Sequence, residues 1–143
     1  MIRKIVFTLL AFAAGFVVRG LVPVEPALQA QAGNRVFELR TYTAPEGKLP
    51  DLQARFRNHT LRIFERHGMS NIGYWIPQDD PLRQNTIVYL LAHRSREAAK
   101  ESWAAFGADP EWRKVAAESL VNGRIVQGVV SVFLDPADFS PMK

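Results

Sequence analysis

From Arg35 onward the spacing of apolar residues switches between period two and period 3.6 in an order that few small folds accommodate. Arg35 to Thr43 alternates as a strand, with Val36, Glu38, Arg40 and Tyr42 on one side and Phe37, Leu39, Thr41 and Thr43 on the other. Ala44-Pro45-Glu46-Gly47 makes a turn. Lys48 to His67 then reads as a helix, with Pro50 in its first turn and Gly68 just past its end. Ser70 to Ile76 and Thr86 to His93 are two more strands, paired as a hairpin across a polar loop that holds Pro77, Asp79, Asp80 and Pro81. Ser95 caps a second helix to about Phe106, and Asp109-Pro110 restarts it as far as about Val121. Asn122-Gly123 stops that helix, and Ile125 to Leu134 is a final strand. The order β-α-β-β-α-β predicts an α+β fold of ferredoxin-like type, a four-stranded sheet with both helices on one face.

Helices on one face leave the other uncovered, yet the strands are apolar on both. Ile125, Val129 and Phe133 alternate with Val126, Val130, Val132 and Leu134, and Ile87, Tyr89 and Leu91 stand opposite Val88 and Leu90. Such a patch is larger than soluble monomers usually expose, so a homodimer is expected, its two sheets packed face to face.

The first 32 residues are built differently. Arg3 and Lys4 precede an uninterrupted apolar run from Ile5 to Val18. As a helix this run would rise only about 21 Å, short of a hydrocarbon core of roughly 30 Å. Ala30-Gln31-Ala32 is a small-x-small site that a signal peptidase could cut after Ala32. Residues 1–32 are therefore expected to be an export signal, leaving a periplasmic or secreted domain from residue 33 to 143, or an uncleaved membrane tether. Only through this segment would the chain meet a membrane.

Composition narrows the functional classes. The chain has no cysteine, which excludes disulfides, thiolate zinc sites and thiol catalysis. Its formal net charge is +4 over 143 residues, and half of that excess lies in residues 1–32. With no clustered basic face and no reading module, a nucleic-acid partner is not expected.

Four ordered segments carry a resemblance: VFELRTYT from Val36, RHGMSNIGYW from Arg66, SWAAFGADPEWRKV from Ser102 and VSVFLDPADFSP from Val130. Together they resemble the NIPSNAP family over essentially all of Arg35 to Pro141. The resemblance implies a dimeric α/β barrel. The wider fold group includes small cofactor-free monooxygenases and haem-handling enzymes, but a shared fold does not transfer chemistry. The family supplies no settled reaction.

Candidate chemistry rests on three histidines and a set of aromatics. On a helical wheel Leu49, Leu52, Phe56, Ile63 and His67 share one stripe, with His59 at its edge. His59 is either a boundary histidine or a ligand-facing acid/base. His67, beside Gly68, is expected to bond the last helix carbonyls, and His93, beside Arg94 and Arg96, to be exposed. The His59 to His67 spacing is not that of a helical metal pair and no HExxH occurs, so no metal site is expected. No cofactor is expected either; haem would need His59 or His67 facing an open cavity.

Arg40 shares a strand face with Glu38 and Tyr42, which is costly unless these groups pair. They form an internal Glu38–Arg40 ion pair, pair across the dimer, or make the polar end of a pocket. In the last case Arg40 would hold a carboxylate, phenolate or enolate, with Tyr42 hydrogen-bonding it. Trp103 is a candidate wall of that pocket, and the stripe Arg55, Arg62 and Arg66 is expected to be solvated. Two functions fit: a domain binding a small hydrophobic or aromatic/carbonyl compound, with cofactor-free acid/base or oxygenase-type chemistry through His59, or a non-catalytic dimeric binding or scaffold module.

Overall fold

The computed structural model describes residues 35–143; the proposed export segment lies outside the described residues. Strand β1 (Val36–Thr43) leads through a turn into helix α1, residues 49–66, in which a π turn (Phe56–Thr60) joins two α-helical halves. Strand β2 (Ser70–Trp75), the short helix α2 (Leu82–Asn85) and strand β3 (Thr86–His93) follow. Helices α3 (Arg96–Ala108) and α4 (Pro110–Glu118) precede strand β4 (Gly128–Leu134). The sheet order is β2-β3-β1-β4, with every neighbouring pair antiparallel, the ferredoxin-like arrangement expected from the periodicity.

The punctuation in the sequence acts as its chemistry requires. Pro50 sits in the first turn of α1, where its missing N–H costs no helix bond. Gly68 ends that helix at φ +77°, a left-handed conformation in which a side chain would be strained. The Ser95 hydroxyl accepts from Ala98 N at 3.1 Å to start α3. One carboxylate oxygen of Asp109 accepts from Glu111 N at 2.8 Å and Trp112 N at 3.1 Å to start α4.

The last strand begins three residues later than the expected Ile125. Ile125 instead plugs the core and Val126 packs against it, before Gln127 N bonds Thr43 O at 2.7 Å and the ladder starts. The core lies between α1 and the inner face of the sheet. Leu52, Phe56, Ile63 and Phe64 of α1 meet Ile87, Tyr89 and Leu91 of β3, with Met69 and Phe106 closing the layer. On the outer face Val130, Val132 and Leu134 are exposed, and Val132 pairs with Leu39 across the ladder.

Candidate functional site

Strand register gathers polar groups onto the inner face. Arg40 lies opposite Tyr89 on β3 and Ser131 on β4, while Glu38 lies opposite Leu91 and Phe133. Glu38 is 1% exposed, and its carboxylate accepts four hydrogen bonds. Arg40 Nη1 and Ser131 Oγ each donate to Oε1 at 2.6 Å, and Trp103 Nε1 at 2.7 Å and His93 Nε2 at 3.0 Å donate to Oε2. Burial alone would raise its pKa; the bonds from His93, Ser131, Trp103 and Arg40 outweigh it and hold the carboxyl down to about 2.

Arg40 is the second centre of this cluster. Its Nη2 donates to Tyr42 Oη at 3.3 Å, and its guanidinium lies 4.2 Å from the Trp103 ring centroid and 5.5 Å from that of Tyr42. Burial opposes its charge, but Tyr89, Tyr42 and Glu38 raise its pKa on balance. Three of the four expected site residues, Arg40, Tyr42 and Trp103, therefore meet around the internal ion pair with Glu38. His93, expected at the surface, is 2% exposed and belongs to the same cluster. Its position follows from strand parity, because it shares the inner side of β3 with Ile87, Tyr89 and Leu91.

His59 is placed elsewhere. It lies in the π turn and lines a cleft of about 240 Å³ between α1 and α4, together with Arg55, Asn58 and Ser119. Neither Arg40 nor Tyr42 lines that cleft. His67 is tied to α4, with Nε2 donating to Asp109 Oδ2 at 2.6 Å rather than to helix carbonyls. Arg62 and Arg66 are likewise not merely solvated: both bond Glu111, and Arg66 also bonds Asp109 at 2.6 Å. These bonds pull both carboxyls down, Asp109 chiefly through His67 and Glu111, to about 2, chiefly through Arg62.

A cavity of about 360 Å³ opens on the other side of the π turn. Its walls are Phe56, Leu61, Tyr74 and Ile87, with Trp75 and Ile76 beside them and Gln53 and Arg57 supplying polar groups. The Trp75 indole folds over Gly73, where a Cβ would come within 2.6 Å of the ring. Leu61 N bonds Phe56 O and Thr60 Oγ1 bonds Arg55 O at 3.2 Å, both reaching back five residues. That extra residue in the turn directs Phe56, Arg57 and Leu61 toward the cavity, and Asn58 and His59 toward the cleft. Sequence spacing carried no sign of the π turn, so the residues that line the apolar cavity were not legible beforehand, and none of Arg40, Tyr42, His59 and Trp103 is among them. Tyr74, on its wall, donates to Asn71 Oδ1 at 2.5 Å, and burial raises its pKa.

Fold and site together define a small ferredoxin-like α+β domain with a buried ion-pair cluster and an apolar cavity between helix and sheet. The sequence profile of the NIPSNAP family matches residues 37–141, and the chain belongs to that family. A NIPSNAP family protein of unknown function from Agrobacterium tumefaciens superposes with a TM-score of 0.67 at 24% identity, covering 78% of this chain and 96% of that one. An uncharacterised NIPSNAP-like domain protein from Burkholderia xenovorans gives 0.66 at 22% identity, covering 76% and 90%. SnoaB, a cofactor-independent oxygenase from Streptomyces nogalater, gives 0.52 at 13% identity, covering 76% and 98%. At these identities the likeness establishes the fold alone. Among curated proteins no sequence matches significantly.

Proposed function

We propose that this chain is an exported NIPSNAP domain that pairs with a second copy through the outer face of its sheet and binds a small hydrophobic or aromatic/carbonyl compound between sheet and helix α1. The apolar cavity of about 360 Å³ carries this reading, since its size and its few polar groups suit a small ligand. Arg40, Tyr42 and Trp103 form the polar layer behind the wall: Tyr42 packs on Phe56 at 5.8 Å between ring centroids, and Tyr74 stacks on Tyr89 at 5.3 Å.

Binding without catalysis is the form of this reading that the geometry favours. Arg40 is already neutralised by Glu38, and His59, the candidate proton carrier, lines a different cleft. Of the cavity's lining residues only Tyr74 and Arg57 carry ionisable side chains, and burial raises the Tyr74 pKa, so no general base faces the cavity. A calorimetric titration with small aromatic ketones and phenols tests this. Leu61→Trp, which fills the cavity, is expected to weaken the best binder at least tenfold, whereas His59→Ala leaves it unchanged. If no probe binds, or Leu61→Trp binds as well as the natural chain, the reading is wrong.

A further inference from the structure

Arg55 is a half-buried cation with no carboxylate partner among the described residues, whereas Arg40, Arg62 and Arg66 each pair with one. Its guanidinium lies over Trp112, 5.2 Å from the ring centroid, and Nη1 donates to Ser119 Oγ at 3.3 Å. Ser119 in turn donates to Ala116 O at 2.7 Å, so its hydroxyl adds no anion to the site. Nε of Arg55 is buried without an acceptor. Behind it on the sheet stand Tyr42 and Tyr89, and the Tyr89 hydroxyl is also buried without a partner. Burial works against the Arg55 charge and lowers its pKa. A desolvated cation with unused donors is costly unless an anion arrives to accept from it.

The cleft of about 240 Å³ between α1 and α4 gives such an anion access, since Arg55 lines it beside Asn58 and His59. Two acids, Asp51 and Glu118, line the same cleft but turn to Lys48 at 3.3 Å and Lys114 at 3.9 Å. With these acids on its rim, the cleft disfavours each added negative charge, so a monocarboxylate is preferred over phosphate dianion and dicarboxylates. A planar monocarboxylate can accept from the Nη donors of the Arg55 guanidinium, whose buried Nε it does not reach. The space, roughly that of eight waters at about 30 Å³ each, admits a short organic acid.

We propose that the cleft between α1 and α4 is a binding site for a small monocarboxylate, with Arg55 as its receptor and Asn58 and His59 at its entrance. The site is separate from the apolar cavity and stands whether or not that cavity is filled. The test is a titration of the full chain with sodium propionate, sodium phosphate and sodium chloride at constant ionic strength, following the arginine side-chain N–H resonances and the backbone amides of Asn58 and His59 by NMR.

A saturable propionate shift at Arg55 and at the backbone amides of Asn58 and His59, at least tenfold weaker for phosphate and chloride, with the two amide shifts lost in Arg55→Gln, supports the proposal. Absence of saturation, or an equal response to chloride or phosphate, overturns it. Should Arg55→Gln fail to fold, Ala54→Leu decides the question. That change narrows the cleft and leaves the guanidinium in place, so it must weaken the propionate response at least tenfold; an unchanged response overturns the assignment.

Discussion

Glu38 faces the helices from the third residue of β1, where a lone carboxylate would be expelled or protonated. It survives as an anion because its four donors come from four different elements or positions: Arg40 on its own strand, His93 on β3, Trp103 on α3 and Ser131 on β4. The partners lie 2, 55, 65 and 93 residues away in the chain, which explains what could be read beforehand. The Glu38–Arg40 pair was legible because both sit on one strand face; His93 and Ser131 required the register of the sheet. The depressed carboxyl makes a definite prediction about acid. Because the folded-state pKa lies below the unfolded value of 4.5, the stabilisation is fully present above about pH 5 and is lost as pH falls toward 2. A shift of this size corresponds to at most about 3 kcal/mol. Denaturant unfolding of Glu38→Gln at pH 7 and at pH 3 is expected to show a smaller loss on acidification than the natural chain shows. Equal losses would mean that the carboxylate is not what acid removes.

At the scale of elements, α1 and α4 are joined by a charged clasp that the periodicity did not foretell. Asp109 caps α4 with one oxygen and takes Arg66 and His67 from the end of α1 with the other. The cap was legible from Asp109-Pro110, because capping is local; the clasp was not, because it depends on how two helices cross. The same distinction separates the helix stops, which Gly68 announced, from the π turn, which left no mark in the residue spacing. Two substitutions separate the roles of Asp109. Asp109→Asn keeps a capping oxygen and weakens the clasp, while Asp109→Ala removes both. Thermal unfolding is expected to fall by roughly 5 °C more for the alanine variant than for the asparagine variant, the usual size of a lost cap in a domain this small. Equal melting temperatures would show that the cap contributes nothing beyond the clasp.

For the whole molecule, the decisive quantity is the apolar surface that the helices cannot reach. Both helical layers lie on the inner face of the sheet, so the outward side chains of β4 have nothing over them: Val130 is 62% exposed and Val132 47%. Trp75 at the end of β2 is 53% exposed. Two-sided apolarity was legible in the strands because it is a matter of parity alone, and the fold lines it up across the outer face, with Leu39 between Val132 on β4 and Leu90 on β3. Covering that patch with a second copy would bury it sheet against sheet, at about the 10 Å spacing of packed sheets. A charge placed there must then be desolvated in the pair but remains in water in the separated protomer. Val132→Glu is therefore expected to leave the far-ultraviolet circular dichroism and melting of the protomer nearly unchanged while weakening self-association at least a hundredfold. Sedimentation equilibrium of both chains across micromolar concentrations measures this. A natural chain that sediments as a monomer would remove the pairing altogether; a variant that stays dimeric would move the interface off the outer face of β4.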